Sequence, residues 1–132
     1  MAYEWGEHVG ELELQVTAAD EAGLFEEALR ALGELMGDEQ EGGRAERFEV
    51  AAAGDDRAAL FATWLEELAF LAETEGLVPV DVDELDLGPR EVRAAVRGYR
   101  GEPPHLVKAV TYHRLAYERS DGGWRALAIL DV

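Results

Sequence analysis

The residues of this sequence that could do chemistry are concentrated in its C-terminal block, Lys108 to Val132. The block contains His113 and the only lysine of the chain, and it ends at Asp131-Val132, where a side-chain carboxylate precedes a free main-chain carboxylate. Carboxylate and carbonyl oxygens are the ligands that hard cations such as Ca²⁺ and Mg²⁺ prefer. The ending is therefore a candidate metal site, and a frayed, hydrated chain end is the competing interpretation.

Other acidic residues are too numerous to identify a site by themselves. The chain has 29 of them, and most must be solvated surface. Asp81 and Asp83 are predicted to share one face of a strand, where they could bind a cation. A solvated sheet edge is the competing and simpler explanation for that pair.

The motifs of the common enzyme classes do not occur in the sequence. It has no cysteine, no Gly-rich phosphate loop and no nucleophile elbow, and its three histidines are widely separated. Ser120, the only serine, falls in a predicted turn, which is the ordinary place for such a residue. An independent enzyme is therefore the least favoured class of function for this chain, because no nucleophile, general-base pair or cofactor fingerprint can be placed.

The formal charge of −17 limits the kind of partner. Such a surface repels phosphate backbones, so strong direct binding of naked RNA or DNA is not expected, and a basic protein or a divalent cation fits better. Simple solubility explains the bulk charge equally well. The chain has no apolar run that could span a membrane and no signal pattern, and the lack of cysteine makes the cytoplasm the expected location.

Hydrophobic periodicity predicts eight elements in the order β-α-β-α-β-β-β-β. Asp20 is a suitable N-cap for the first helix, and Gly76 is a suitable residue to end the second. The last two strands form a hairpin around Ser120 to Gly123. Strands are predicted at Glu11–Val16, Glu46–Ala53, Leu77–Leu87, Glu91–Tyr99 and on both sides of that turn, and helices near 20–37 and at Arg57–Glu73.

Consecutive hairpins make the later strands antiparallel. We therefore expect an α+β fold with a mixed, largely antiparallel sheet and two main helices packed on one face. The length of 132 residues and the 48% hydrophobic content predict one domain, residues 1–132, with a real core.

Three blocks of the sequence resemble the archease family. The first is WLEELAFLAETEGLVP from Trp64 to Pro79, the second is KAVTYH from Lys108 to His113, and the third is the ending from Asp121-Gly-Gly-Trp to Leu130-Asp-Val. Their order and spacing fit the family over nearly the whole chain. The N-terminal motif departs from the family's Asp-His-Thr-Ala-Asp, because this chain has Glu7-His8-Val9-Gly10-Glu11.

The resemblance implies an accessory protein rather than an enzyme. Archeases assist the GTP-dependent RNA ligase of the RtcB class in tRNA splicing and RNA repair, promoting ligase guanylylation and multiple turnover. By position, the family's metal ligands are Glu11, Asp131 and Val132 here. Glutamate is one methylene longer than the usual aspartate, which favours calcium over magnesium or manganese because Ca²⁺ tolerates variable geometry.

His8, Lys108 and His113 are further candidates for engaging the ligase. The family signature contains the last two, and a compact ammonium reaches different groups from a guanidinium. The competing interpretation is that Lys108 only neutralises nearby carboxylates. A second function class also stays open, namely a chaperone-like acidic module that binds basic RNA-processing partners without a metal. The oligomeric state is expected to be a monomer or a small homo-oligomer.

Overall fold

The strands of the computed structural model form two antiparallel sheets. The structure describes residues 2–8, 10–37, 45–101, 103 and 106–132, without the side chains of Glu7 and His8. In chain order the elements are β1 (Ala2–His8), β2 (Glu11–Ala18), α1 (Glu21–Met36), β3 (Ala45–Ala53), α2 (Arg57–Glu75), β4 (Leu77–Leu87), β5 (Glu91–Arg100), β6 (Ala109–Ser120) and β7 (Gly123–Asp131). The four-stranded sheet has the order β1-β2-β7-β6, and the three-stranded sheet has the order β3-β5-β4.

The two helices form a layer between these sheets. α1 packs against β2 of the four-stranded sheet and β4 of the three-stranded sheet, while α2 packs against β6 and β3. Each sheet therefore carries both helices on one face. The predicted α+β class and the predicted order of strands and helices are confirmed, and the structure adds β1 and divides the strands between two sheets.

Aromatic side chains hold the helical layer together. The ring of Phe25 in α1 meets the rings of Phe61 and Trp64 in α2 edge-on, with centroid distances of 5.6 and 5.9 Å. The indole nitrogen of Trp64 donates a hydrogen bond of 3.0 Å to the carbonyl oxygen of Phe25. Because all three side chains are fully buried, these contacts fix the core on which both sheets rest.

Local signals in the sequence explain where the helices begin and end. Asp20 accepts a hydrogen bond of 2.8 Å from the amide of Gly23 and caps α1, and Asp56 caps α2 in the same way through Ala59. Gly76 ends α2 in the left-handed conformation, with φ of 65°. In the described part of the chain, no helix is long and apolar enough to cross a membrane.

The C-terminal hairpin is confirmed and organises the four-stranded sheet. Asp121-Gly122 forms a two-residue turn with Gly122 at φ of 72°, and Ser120 pairs with Gly123 across it. β7 then runs between β6 and β2 as a central strand. The hairpin thereby brings the C-terminal end of the chain beside the first residues of β2.

Candidate metal centre

One row of residues crosses an end of the four-stranded sheet, and we call it the end row: His8 of β1, Glu11 of β2 and Asp131 of β7. Glu11 is the register partner of both His8 and Asp131. Directly opposed residues point to the same face of a sheet, with Cβ atoms about 4.5–5.5 Å apart. Since Leu14 and Val16 turn to the helices and are fully buried, Glu11 and Asp131 lie on the opposite, outer face.

Main-chain hydrogen bonds hold the chain end at this row. The amide of Val132 donates to the carbonyl oxygen of Gly10 at 3.1 Å, and the amide of Lys108 donates to the carbonyl oxygen of Asp131 at 2.7 Å. The end of β7 is thus joined to the β1–β2 turn on one side and to the segment before β6 on the other. The frayed, hydrated end considered from the sequence is wrong for the main chain up to Val132.

The two carboxylates of the end row have no ion pair among the described side chains, and both are half-buried. Like charges directly opposite each other on neighbouring strands destabilise a sheet. Lys108 directly precedes β6, is exposed and forms no ion pair with a described carboxylate.

The three carboxylates at and next to the end row fit a hard cation. Glu11, Asp131 and the main-chain carboxylate of Val132 offer only oxygen, the ligand type that Ca²⁺, Mg²⁺ and Mn²⁺ prefer. In the described ranges, no three His, Cys, Asp or Glu side chains come together as a ready-made metal group. The site would therefore need the terminal carboxylate beside its two side chains, while the predicted His8 side chain lies outside the described residues.

His113 lies away from the end row, in an irregular part of β6. Thr111 pairs with Ile129 and Ala116 pairs with Leu127, so the four residues from Tyr112 to Leu115 oppose Ala128 alone. His113 is exposed within this bulge. Ala128 is three residues before Asp131, which corresponds to about 10 Å along a strand. His113 thus lies in the same sheet as the end row but is not part of that row.

Both carboxylates of the second candidate cation site, Asp81 and Asp83, form ion pairs with arginine. Arg30 Nη2 lies 3.0 Å from Asp81 Oδ1, and Arg97 Nε lies 2.6 Å from Asp83 Oδ1. Partial burial acts to raise the pKa of Asp81, but hydrogen bonds from the Val82 amide and Arg30, with the charge of Arg97, outweigh it and lower that pKa. This pair is an ion-pair cluster between β4 and its neighbours.

Three features of the site region are not predicted from the sequence. The first is β1, although Tyr3 and Trp5 alternate toward the core and the tight turn before Glu11 contains Gly10 at φ of 74°. The other two are the bulge in β6 and the ion pair between Arg114 and Glu13. Neither can be predicted from the sequence, because arginine and glutamate do not indicate extra residues in a strand.

Comparisons with known proteins identify the family and agree with the fold. The family model for the "Archease protein family (MTH1598/TM1083)" matches residues 3–132. Protein archease of Methanopyrus kandleri is 34% identical over 100% of both chains, and that of Methanosarcina mazei is 30% identical over 98% of this chain and 95% of its own.

Two solved structures have the same fold. The solution structure of protein 1598 of Methanobacterium thermoautotrophicum is 27% identical, covers 98% of each chain and superposes with a TM-score of 0.73. The crystal structure of "an archease, possible chaperone" from Thermotoga maritima is 20% identical, with a TM-score of 0.71 over 96% of this chain and 94% of its own. The second likeness concerns the fold alone.

Proposed function

Because the chain belongs to the archease family, we propose that it is an accessory protein that activates a GTP-dependent RNA ligase of the RtcB class. Its role in tRNA splicing or RNA repair is to promote guanylylation of the ligase and to allow multiple turnovers. It is not itself the enzyme, and it acts in the cytoplasm through a single archease-like domain.

The observation that carries this proposal is the pair of opposed carboxylates in the end row. Glu11 and Asp131 face each other across β2 and β7 and have no ion pair among the described side chains. A divalent cation, with calcium the best match and magnesium or manganese as alternatives, would be held by these two side chains and the carboxylate of Val132. When bound, it supplies a concentrated positive charge that can polarise a phosphate oxygen.

The residues around the end row support action on a partner protein rather than catalysis by this chain alone. Lys108 is exposed beside Asp131, where its ammonium can reach an acidic group or a phosphate of the partner complex. The net charge of −17 favours association with a basic, RNA-binding protein and disfavours direct RNA binding. A ligase whose RNA site is basic is the kind of partner this surface fits.

The test is a guanylylation assay with purified ligase, labelled GTP and substoichiometric amounts of this protein. We expect the wild type to accelerate formation of the ligase–guanylate adduct, and Asp131→Asn to reduce that acceleration at least about tenfold, since losing a metal ligand costs more than losing an outer-shell partner. Asp121→Asn, at the exposed turn of the same hairpin, is the matched control and should behave as the wild type.

A chaperone-like acidic module that needs no metal is the second candidate, favoured by the net charge alone. It predicts equal acceleration by the wild type and by Asp131→Asn, together with a loss of binding when several exposed acids are reversed. A wild type without any effect on guanylylation would contradict the ligase-activator proposal.

A further inference from the structure

The bulge in β6 has an unusual main-chain conformation at its third residue. Four residues, Tyr112 to Leu115, stand where one would continue the register opposite Ala128. Within the bulge, Arg114 has φ of 59°, and among the described residues it is the only one other than glycine with a positive φ. A side chain with a Cβ adopts that conformation at a cost, so the surrounding structure must hold it there.

An ion pair joins the bulge to β2. Arg114 Nη2 lies 2.9 Å from Glu13 Oε1, a contact between charges that does not have hydrogen-bond alignment, and Oε1 has no hydrogen-bond partner in the described part of the chain. The side chain of Glu13 is 13% exposed, against 52% for Arg114. A mostly buried carboxylate is costly without a counter-charge, so Glu13 depends on this arginine.

The pair spans a strand. Glu13 lies on β2 and Arg114 on β6, and β7 runs between them. Ile129, the β7 residue in register with Glu13, is 1% exposed although it belongs to the outer face and not to the main core. Gly6 leaves room for the carboxylate on the other side, because a Cβ there would come within 3.0 Å of Glu13 Oε2. The outer face is thus shaped to receive this ion pair.

The first two side chains of the bulge are exposed. Tyr112 is 57% exposed, and His113 is exposed beside it. Within the described ranges, neither forms an ion pair or an aromatic contact. The main-chain strain at Arg114 is therefore not offset by burial of these two side chains, which stand in solvent on the sheet that carries the end row.

We propose that Arg114 is a positioning residue, which through its ion pair with Glu13 fixes the bulge so that Tyr112 and His113 contact the ligase beside the end row. This inference rests on the proposed function for the identity of the partner. The holding of the bulge itself is a property of the free protein.

The experiment compares Arg114→Ala and Arg114→Gly with the wild type at increasing concentrations in the guanylylation assay. Glycine adopts the left-handed conformation without strain but lacks the guanidinium, so both variants should fail in the same way. Each should raise the concentration for half-maximal acceleration about fivefold to tenfold, the range for losing one coupled pair, and leave the rate at saturation unchanged. The charge-exchanged double variant Glu13→Arg/Arg114→Glu should recover part of the affinity.

Arg125→Ala is the matched control, because Arg125 is 45% exposed and forms its ion pair with an exposed acid, Glu118, on the same hairpin. This variant should not change the half-maximal concentration. Amide hydrogen exchange of residues 112–115 in the free protein provides a second readout, which should be faster in Arg114→Ala and Arg114→Gly. Unchanged exchange, or an unchanged half-maximal concentration, would overturn the inference. A wild type that does not accelerate guanylylation would refute the proposed function instead, while the exchange data would still decide whether the ion pair holds the bulge.

Discussion

Tyr117 illustrates how a single side chain joins parts of the chain that are distant in sequence. Its hydroxyl donates a hydrogen bond of 2.9 Å to Glu21 Oε1 at the start of α1. The same oxygen lies 3.3 Å from Arg57 Nε at the start of α2, and Arg57 Nη1 donates a bond of 2.6 Å to the carbonyl oxygen of Gly88. Burial, reinforced by the neighbouring Glu21, raises the pKa of Tyr117.

Tyr117→Phe should lower the free energy of unfolding by about 1 kcal/mol, because it deletes one half-buried hydrogen bond to a charged acceptor and leaves the ring in place. Urea unfolding at pH 7 measures the difference. Tyr112→Phe, on the same strand but 57% exposed, is the matched control and should change stability by less than about 0.5 kcal/mol. Equal effects of the two substitutions would contradict the role given to the Tyr117–Glu21 bond.

At the scale of elements, turn and cap chemistry made much of the fold predictable. Asp20, Gly76 and the Asp121-Gly122 turn mark boundaries through their own side chains or conformations, and the structure has a boundary at each. Periodicity shows which face of a strand is apolar but not which strand lies beside it. The division into two sheets, with β7 between β6 and β2, therefore could not be read from alternation alone.

The ion pair between Arg30 and Asp81 joins helix α1 to β4, and the strength of this ion pair should depend on pH. The pKa of Asp81 is lowered below its ordinary value of 3.8 in the folded protein. A lowered carboxyl pKa stabilises the fold above the unfolded-state pKa, and that contribution is lost as the pH falls through the folded-state pKa. The partial exposure of both side chains keeps the contribution small.

Asp81→Asn should consequently be less stable than the wild type at pH 7, and the difference should vanish once the pH is below the folded-state pKa of Asp81. Urea unfolding curves at a series of pH values measure this dependence. Asp86→Asn, exposed on the same strand and without an ion pair among the described residues, should change stability by less than about 0.5 kcal/mol. A difference between Asp81→Asn and the wild type that stays constant at all pH values would exclude the assigned cause.

At the scale of the whole molecule, the fold brings the two ends of the chain together. Glu11 and Asp131 are 120 positions apart, yet they are register partners because β7 is a central strand next to β2. From the residues alone, Asp131 is a candidate ligand with a frayed chain end as the competing interpretation, and nothing distinguishes Glu11 from the other acids. Only the family resemblance pairs the two residues, because no property of either one in the sequence does so.

The net charge of the whole molecule makes the pairing of Glu11 with Asp131 electrostatically unfavourable without a cation. With a net charge of −17, uncompensated carboxylates on the outer face repel one another, and arginine neutralises Glu13, Asp81 and Asp83. The end row lacks such an arginine among the described side chains. A bound divalent cation would instead offset two of the three negative charges that Glu11, Asp131 and the Val132 carboxylate carry.

The most direct test of this account is an anomalous difference map from crystals soaked in Mn²⁺, a cation that replaces Ca²⁺ or Mg²⁺ at oxygen sites. We expect a peak at the end row, within about 2.0–2.6 Å of carboxylate oxygens of Glu11, Asp131 and Val132. The peak should be absent from crystals of Asp131→Asn. A wild-type map without a peak at these three carboxylates would contradict the proposed metal site.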